Sequence, residues 1–146
     1  MTTSMIAAMA AIGGALGLPA VIGWLLNRRS GVVRQTGGTS ATSAASELDT
    51  SELGLSRTGP TIVHFSAVWC GPCTGVRRVV DQVCGDLPDV AHVEIDMDAN
   101  PAAARKLSVL SLPTTFIFDG DGRQRYRTAG IPKAADLRSA LEPLLA

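Results

Sequence analysis

Apolar positions along the chain follow two different patterns. Residues 5–26 (MIAAMAAIGGALGLPAVIGWLL) run without a single charge over 22 positions. At about 1.5 Å per residue such a run crosses a hydrocarbon core of roughly 30 Å, so it predicts one transmembrane helix behind a short head, residues 1–4. From residue 61 onward the pattern alternates between strand and helix. Residues 61–67 (TIVHFSA) are β-branched and aromatic, residues 72–84 place apolar side chains at helical spacing, and residues 90–96 (VAHVEID) are again strand-like. That is a βαβ unit. Asn100 followed by Pro101 predicts an N-cap and a first helical position for a short helix through Leu107. Residues 114–118 (TTFIF) and 124–128 (QRYRT) flank the turn-rich stretch DGDGR, which predicts a hairpin, and residues 133–145 close the chain with an amphipathic helix. Helices alternating with strands, then a hairpin and a last helix, imply an α/β fold: a three-layer α/β/α sandwich around a central mixed sheet.

Between the two regimes, residues 27–46 form a basic flank and linker. Its part QTGGTSATSAAS has almost no charge and no large apolar side chain, so it predicts a flexible tether with a reach of roughly 20 Å. Residues 47–146 then make the globular domain, with a short helix expected at 47–54 and no strand evident ahead of residue 61. A total of 146 residues suits one domain plus an appendage, and 46% hydrophobic content suffices for one core. Glycines and Pro19 are tolerated in a membrane span, and Trp24 suits its interface. A cleaved signal peptide is disfavoured, because no Lys or Arg precedes the apolar run and the run is long for such a signal. The spacing of Gly13 and Gly17 is read as ordinary glycine use in a span rather than as a dimer seam.

Charge orients this anchor. Arg28, Arg29 and Arg34 follow the span and no acid precedes Glu47, so the rule that positive flanks stay inside predicts a single-pass protein of the cell membrane with its domain facing the cytoplasm. Of 13 basic and 13 acidic residues, 10 basic remain against all 13 acidic beyond residue 34, a net of −3. A mildly acidic domain has no electrostatic footprint for nucleic acid, so nucleic acid is excluded as a partner, while membrane lipid is expected around residues 5–26.

Three cysteines are too few for a disulfide-stapled secreted domain, and Cys70 and Cys73 stand three residues apart where the first predicted strand hands over to a helix. Proline at the start of that helix fixes φ, and cysteines at i and i+3 bring both sulfurs to one face of the first turn. Free N–H groups and the positive end of the dipole favour a thiolate at Cys70, making it the nucleophile; Cys73, one turn inside, resolves the mixed disulfide. The alternative is half of a zinc site. It lacks two further ligands at local spacing, since only Cys84, His64 and His92 remain, and no metal or other cofactor is expected. Cys84 lies roughly 16 Å along the helix from Cys73, too far for an internal disulfide, and is read as a packing residue.

Trp69-Cys70-Gly71-Pro72-Cys73 after an apolar strand, together with Leu112-Pro113-Thr114, resembles the thioredoxin family over residues 61–145. The resemblance implies a cis Pro113 facing the disulfide, Leu112 as the residue whose backbone pairs with an extended substrate, and Gly130 as the glycine that keeps the substrate groove open. It places Trp69, Gly71 and Pro72 at the substrate surface as well. The implied activity is reduction of protein disulfides through a Cys70–Cys73 dithiol, with Gly71-Pro72 matching the dipeptide of reducing members and an upstream donor of the thioredoxin-reductase kind. Two other readings stand beside it: an outward-facing thiol oxidoreductase for exported or cytochrome-maturation substrates, and a non-catalytic adaptor built on the same fold.

The chain departs from the family where the latter usually has a buried aspartate under the disulfide and a lysine on the neighbouring strand. Here those positions are His64 and His92, its only histidines. By resemblance, His64 would take the proton of Cys73, as an imidazole can near neutrality; the competing reading is a core histidine bonded to its neighbour. Arg78 stands where the family often kinks the helix with proline, and Gly75 is a candidate for flexibility instead. Arg77 and Arg78 are expected on a solvated face, as are Arg123, Arg125 and Arg127, which alternate along one strand.

Overall fold

The computed structural model describes residues 33–35 and 52–146 of the chain. In chain order the elements are β1 (Arg34–Gln35), β2 (Thr61–Ser66), α1 (Cys73–Asp86), β3 (Ala91–Asp96), α2 (Pro101–Lys106), β4 (Thr114–Phe118), β5 (Gln124–Ala129) and α3 (Ala134–Leu141), followed by a 3-10 turn (Glu142–Leu144). The expected span at 5–26, the head before it and most of the linker lie outside the described residues; among those that are described, no helix is long and apolar enough to cross a membrane.

The strands form one mixed sheet in the order β1-β5-β4-β2-β3. β2 and β3 run parallel, as the crossover through α1 requires, and β4 pairs antiparallel with β2 on one side and β5 on the other. β2 is buried at all six positions, which fits a central strand covered on both faces. Alternation divides its side chains between the faces. Val63 and Phe65 join Phe116, Phe118, Ala104, Leu107 and Leu53 against α2, whereas Ile62 joins Ile117, Val76, Val80, Val83, Leu137 and Leu141 beneath α1 and α3. The three-layer α/β arrangement expected from the order of elements is therefore present.

Several local expectations need correction. The sheet has an edge strand in the segment read as basic flank and linker: Arg34 pairs with Arg127 and Gln35 with Tyr126. Residues 52–54, part of the expected short helix, form a turn that drives Leu53 into the core with 2% exposure. Asn100 does not cap α2 with its side chain; its Nδ2 donates backward to the Asp96 carbonyl at 3.1 Å. The closing helix ends at Leu141 and continues as a 3-10 turn, because Pro143 has no N–H with which to continue the α-helical ladder.

Of the alternating arginines Arg123, Arg125 and Arg127, the first is exposed as expected, its side chain 63% accessible and paired with Asp121, whereas the two on β5 make further contacts within the fold. Arg125 bonds Asp119 at 3.2 Å, and Arg127 lies 5.1 Å over the Phe116 ring while its guanidinium donates to the carbonyls of Leu107 and Ser108 at 3.1 and 2.7 Å. Those carbonyls follow the end of α2, where a helix leaves acceptors unpaired and a cation is favourable.

Candidate functional site

At the carboxyl end of β2 the chain turns over Ala67–Cys70, closed by the Cys70 N–H bonding the Ala67 carbonyl at 3.0 Å, and enters α1 through Pro72 with φ −63°. Cys70 and Cys73 are joined in a disulfide, S–S 2.06 Å, with their Cα atoms 5.5 Å apart. Helix α1 begins at Cys73, so Cys70 lies just ahead of the free N–H groups of its first turn. Both cysteines are buried, Cys73 more completely, at 1% against 6%. Gly71 and Pro72 are exposed, and Trp69 lies on the surface with its indole N–H bonded to Asp98 at 2.9 Å.

The second motif comes to the same place. The Leu112–Pro113 bond is cis, and Leu112 packs against the cluster of Ala67, Cys70 and Cys73. Gly130 has φ 83°, a conformation suited to glycine, and its N–H bonds the Pro113 carbonyl at 2.9 Å. Val68, Trp69, Leu110 and Ile131 are large apolar side chains left exposed on the loops that carry these motifs. Gly75 serves close approach rather than a kink: a Cβ there would meet Ile131 Cδ1 at 2.6 Å. Helix α1 runs unbroken from Cys73 to Asp86 through Arg78.

His64 lies fully buried on the same face of β2 as Ile62, the face that α1 covers. Its Nδ1 is 2.8 Å from Nε2 of His92, and the two rings stack with centroids 5.0 Å apart. Its Nε2 has no hydrogen-bond partner within reach, and Glu94 Oε1 stands 3.6 Å away. At the other end of the pair, His92 Nδ1 stands 3.7 Å from Asp81, whose side chain is 71% exposed. Burial disfavours the imidazolium and lowers His64 to about 4, with Glu94 pulling in the opposite direction; burial lowers His92 as well.

Glu94 is the residue the sequence reading missed. It lies opposite His64 in the parallel ladder and accepts from Arg77 Nε at 2.8 Å and from Ser66 Oγ at 2.6 Å. The Arg77 hydrogen bonds hold its carboxyl down at about 2. Arg77 keeps its side chain 44% exposed, as expected, and from there also ties α1 to Glu94 on β3; Arg78 is exposed as well. A glutamate on a half-exposed strand carries no distinguishing signal until the register across strands is known. Cys84 packs at the margin of the α1 core, and burial raises its thiol pKa. Among the described residues no group of three His, Cys, Asp or Glu side chains is arranged to hold a metal ion.

The family model described as Thioredoxin matches residues 47–143. A thioredoxin of Mycolicibacterium smegmatis is 41% identical over 111 residues, spanning 72% of this chain and 96% of the relative. A thioredoxin of Mycobacterium tuberculosis is 40% identical over 86 residues, 58% of this chain and 73% of the relative. Among solved structures, a mutant thioredoxin from Halobacterium salinarum superposes with a TM-score of 0.56 at 30% identity, covering 69% of this chain and 85% of that one.

Proposed function

Because the chain belongs to the thioredoxin family, we propose that this thiol–disulfide oxidoreductase works as a reductase of protein disulfides, with Cys70 attacking and Cys73 resolving. The observation that carries the reading is the Cys70–Cys73 disulfide at the α1 N-terminus, packed against the Leu112 that precedes the cis proline. The Cys70 thiolate, favoured by the helix terminus, attacks one sulfur of a substrate disulfide and expels the other as a thiolate. Cys73 then attacks the Cys70 sulfur, releasing the substrate as a dithiol and leaving the pair oxidised, the state seen here. An upstream dithiol donor of the thioredoxin-reductase kind returns it to the reduced form.

Substrate would dock on the exposed apolar rim of Val68, Trp69, Leu110 and Ile131, over Gly71 and Pro72 and beside Gly130, with the Leu112 backbone pairing to an extended segment. His64 Nε2 would take the Cys73 proton: it is buried, unpartnered, and on the β2 face beneath α1. Residues 5–26 would anchor the chain in the membrane with this domain at the cytoplasmic side, supported by the uncharged length of the segment and the three arginines that follow it.

Insulin reduction tests the activity. The full chain in detergent should accelerate precipitation of the insulin B chain by dithiothreitol, and Cys70→Ser should abolish the acceleration; a wild-type rate no faster than dithiothreitol alone would remove the reductase assignment. For the anchor, the full chain should stay with membranes through alkaline carbonate, and deletion of 5–26 should release it; release of the intact chain would count against a span.

A further inference from the structure

The four groups Glu94, His64, His92 and Asp81 form a succession of close contacts that passes through the buried His64 ring and ends at the surface. Glu94 Oε1 is 3.6 Å from His64 Nε2, His64 Nδ1 is 2.8 Å from His92 Nε2, and His92 Nδ1 is 3.7 Å from the exposed Asp81 carboxylate. A 2.8 Å contact between two imidazoles needs one donor and one acceptor, so the two neutral rings have linked tautomers. If His64 carries its proton on Nδ1, it donates to His92 Nε2, His92 is protonated on Nδ1 facing Asp81, and His64 Nε2 is a bare lone pair. If His92 donates instead, both rings carry their protons on Nε2, and that of His64 faces Glu94. Both arrangements are neutral and use the same atoms.

From this geometry we infer that His64 and His92 form a two-ring proton relay between Cys73 and solvent at Asp81. The inference rests on the reading of His64 as the base for Cys73. A single buried imidazole would hold the proton as an imidazolium inside the core, which burial opposes. The relay leaves no charge there. As Cys73 gives its proton to His64 Nε2, the His64 Nδ1 proton crosses to His92 Nε2, and the His92 Nδ1 proton leaves to the Asp81 carboxylate or water. The Cys73 sulfur electrons form the bond to Cys70, the bond from Cys70 to the substrate breaks, and the substrate departs as a thiolate. When the donor later reopens the disulfide, the same path runs backward and returns a proton to the Cys73 thiolate. Glu94 and Asp81 favour opposite ends of the shuttle. Arg77, the remaining charge facing the pair, is held by Glu94 and is never deprotonated.

Two measurements on the full chain test this. The first uses no substitution: nitrogen-15 shifts of the two histidine rings, read at neutral pH in the disulfide and dithiol forms. The relay requires both rings to change their protonated nitrogen together, Nε2 in the disulfide form and Nδ1 in the dithiol form; rings that keep their tautomers across the redox change overturn it. The second follows decay of the mixed disulfide in rapid-quench experiments. His92→Gln can still hydrogen-bond His64 but cannot pass a proton, so resolution should slow at least about tenfold while the first attack by Cys70 keeps its rate, and free imidazole should restore resolution in His92→Ala. His92→Gln resolving at the wild-type rate while His64→Gln is slow overturns the relay and leaves His64 as the base. Wild-type resolution in both variants removes the base reading and the relay with it. Slowing that imidazole does not relieve assigns His92 a packing role and overturns the relay.

Discussion

His64 ties stability to pH through a group that folding keeps neutral. Its ring is free to protonate near pH 6.5 in the unfolded chain, whereas burial holds the folded value at about 4. Between those values the unfolded chain binds more protons, so stability falls as pH drops from about 6.5 toward 4, by up to about 3 kcal/mol for this group. Glu94 adds a second loss at lower pH: its Arg77-bonded carboxylate contributes above about 4.5, and that contribution disappears as pH falls toward 2. Chemical denaturation at a series of pH values should show the first slope in the wild type and a much shallower one in His64→Gln; equal slopes would mean that His64 is not the group responsible. The positions of His64 and His92 were legible from their distance to the cysteine pair. A bond between His64 and its neighbour was one of the two readings offered by the sequence, but which atoms make it, and the place of Glu94 beside the pair, were not legible, because both depend on the register in which β3 lies against β2.

Elements with strong periodicity were legible nearly residue by residue. β2 and β4 bury every position, and a run such as TTFIF has no other stable home than a covered strand. β1 was not legible: two polar residues hold no periodicity, and their strand character comes from pairing with Arg127 and Tyr126 on β5. The arginines of β5 show the same limit. Alternation predicted their common face, but not that α2 would end over that face with carbonyls to satisfy. Arg127→Ala removes two charge-assisted hydrogen bonds and the contact over Phe116, and should lower unfolding free energy by about 2 kcal/mol in denaturant titrations. Arg127→Lys should recover less than half of it, since an ammonium lacks the planar fork that reaches both carbonyls. An unchanged midpoint in the alanine variant would show that the α2 terminus is satisfied without Arg127.

At the scale of the whole molecule, the fold brings together segments far apart in sequence: the β2–α1 turn with Cys70 and Cys73, the loop carrying Leu112 and Pro113, and Gly130 after β5. Each motif was legible alone, but their meeting at one end of the sheet is a consequence of the strand order, in which β4 and β2 are neighbours. That meeting gives the two cysteines unequal surroundings, Cys70 ahead of the helix and Cys73 buried in its first turn, and the roles proposed for them rest on that difference. The most direct measurement is covalent trapping by the full chain on a disulfide-bonded protein substrate, read by non-reducing electrophoresis and mass spectrometry. Cys73→Ser should accumulate a mixed disulfide through Cys70, and Cys70→Ser should accumulate none; equal trapping by both variants, or trapping by Cys70→Ser alone, would contradict the assignment of Cys70 as nucleophile and Cys73 as resolver.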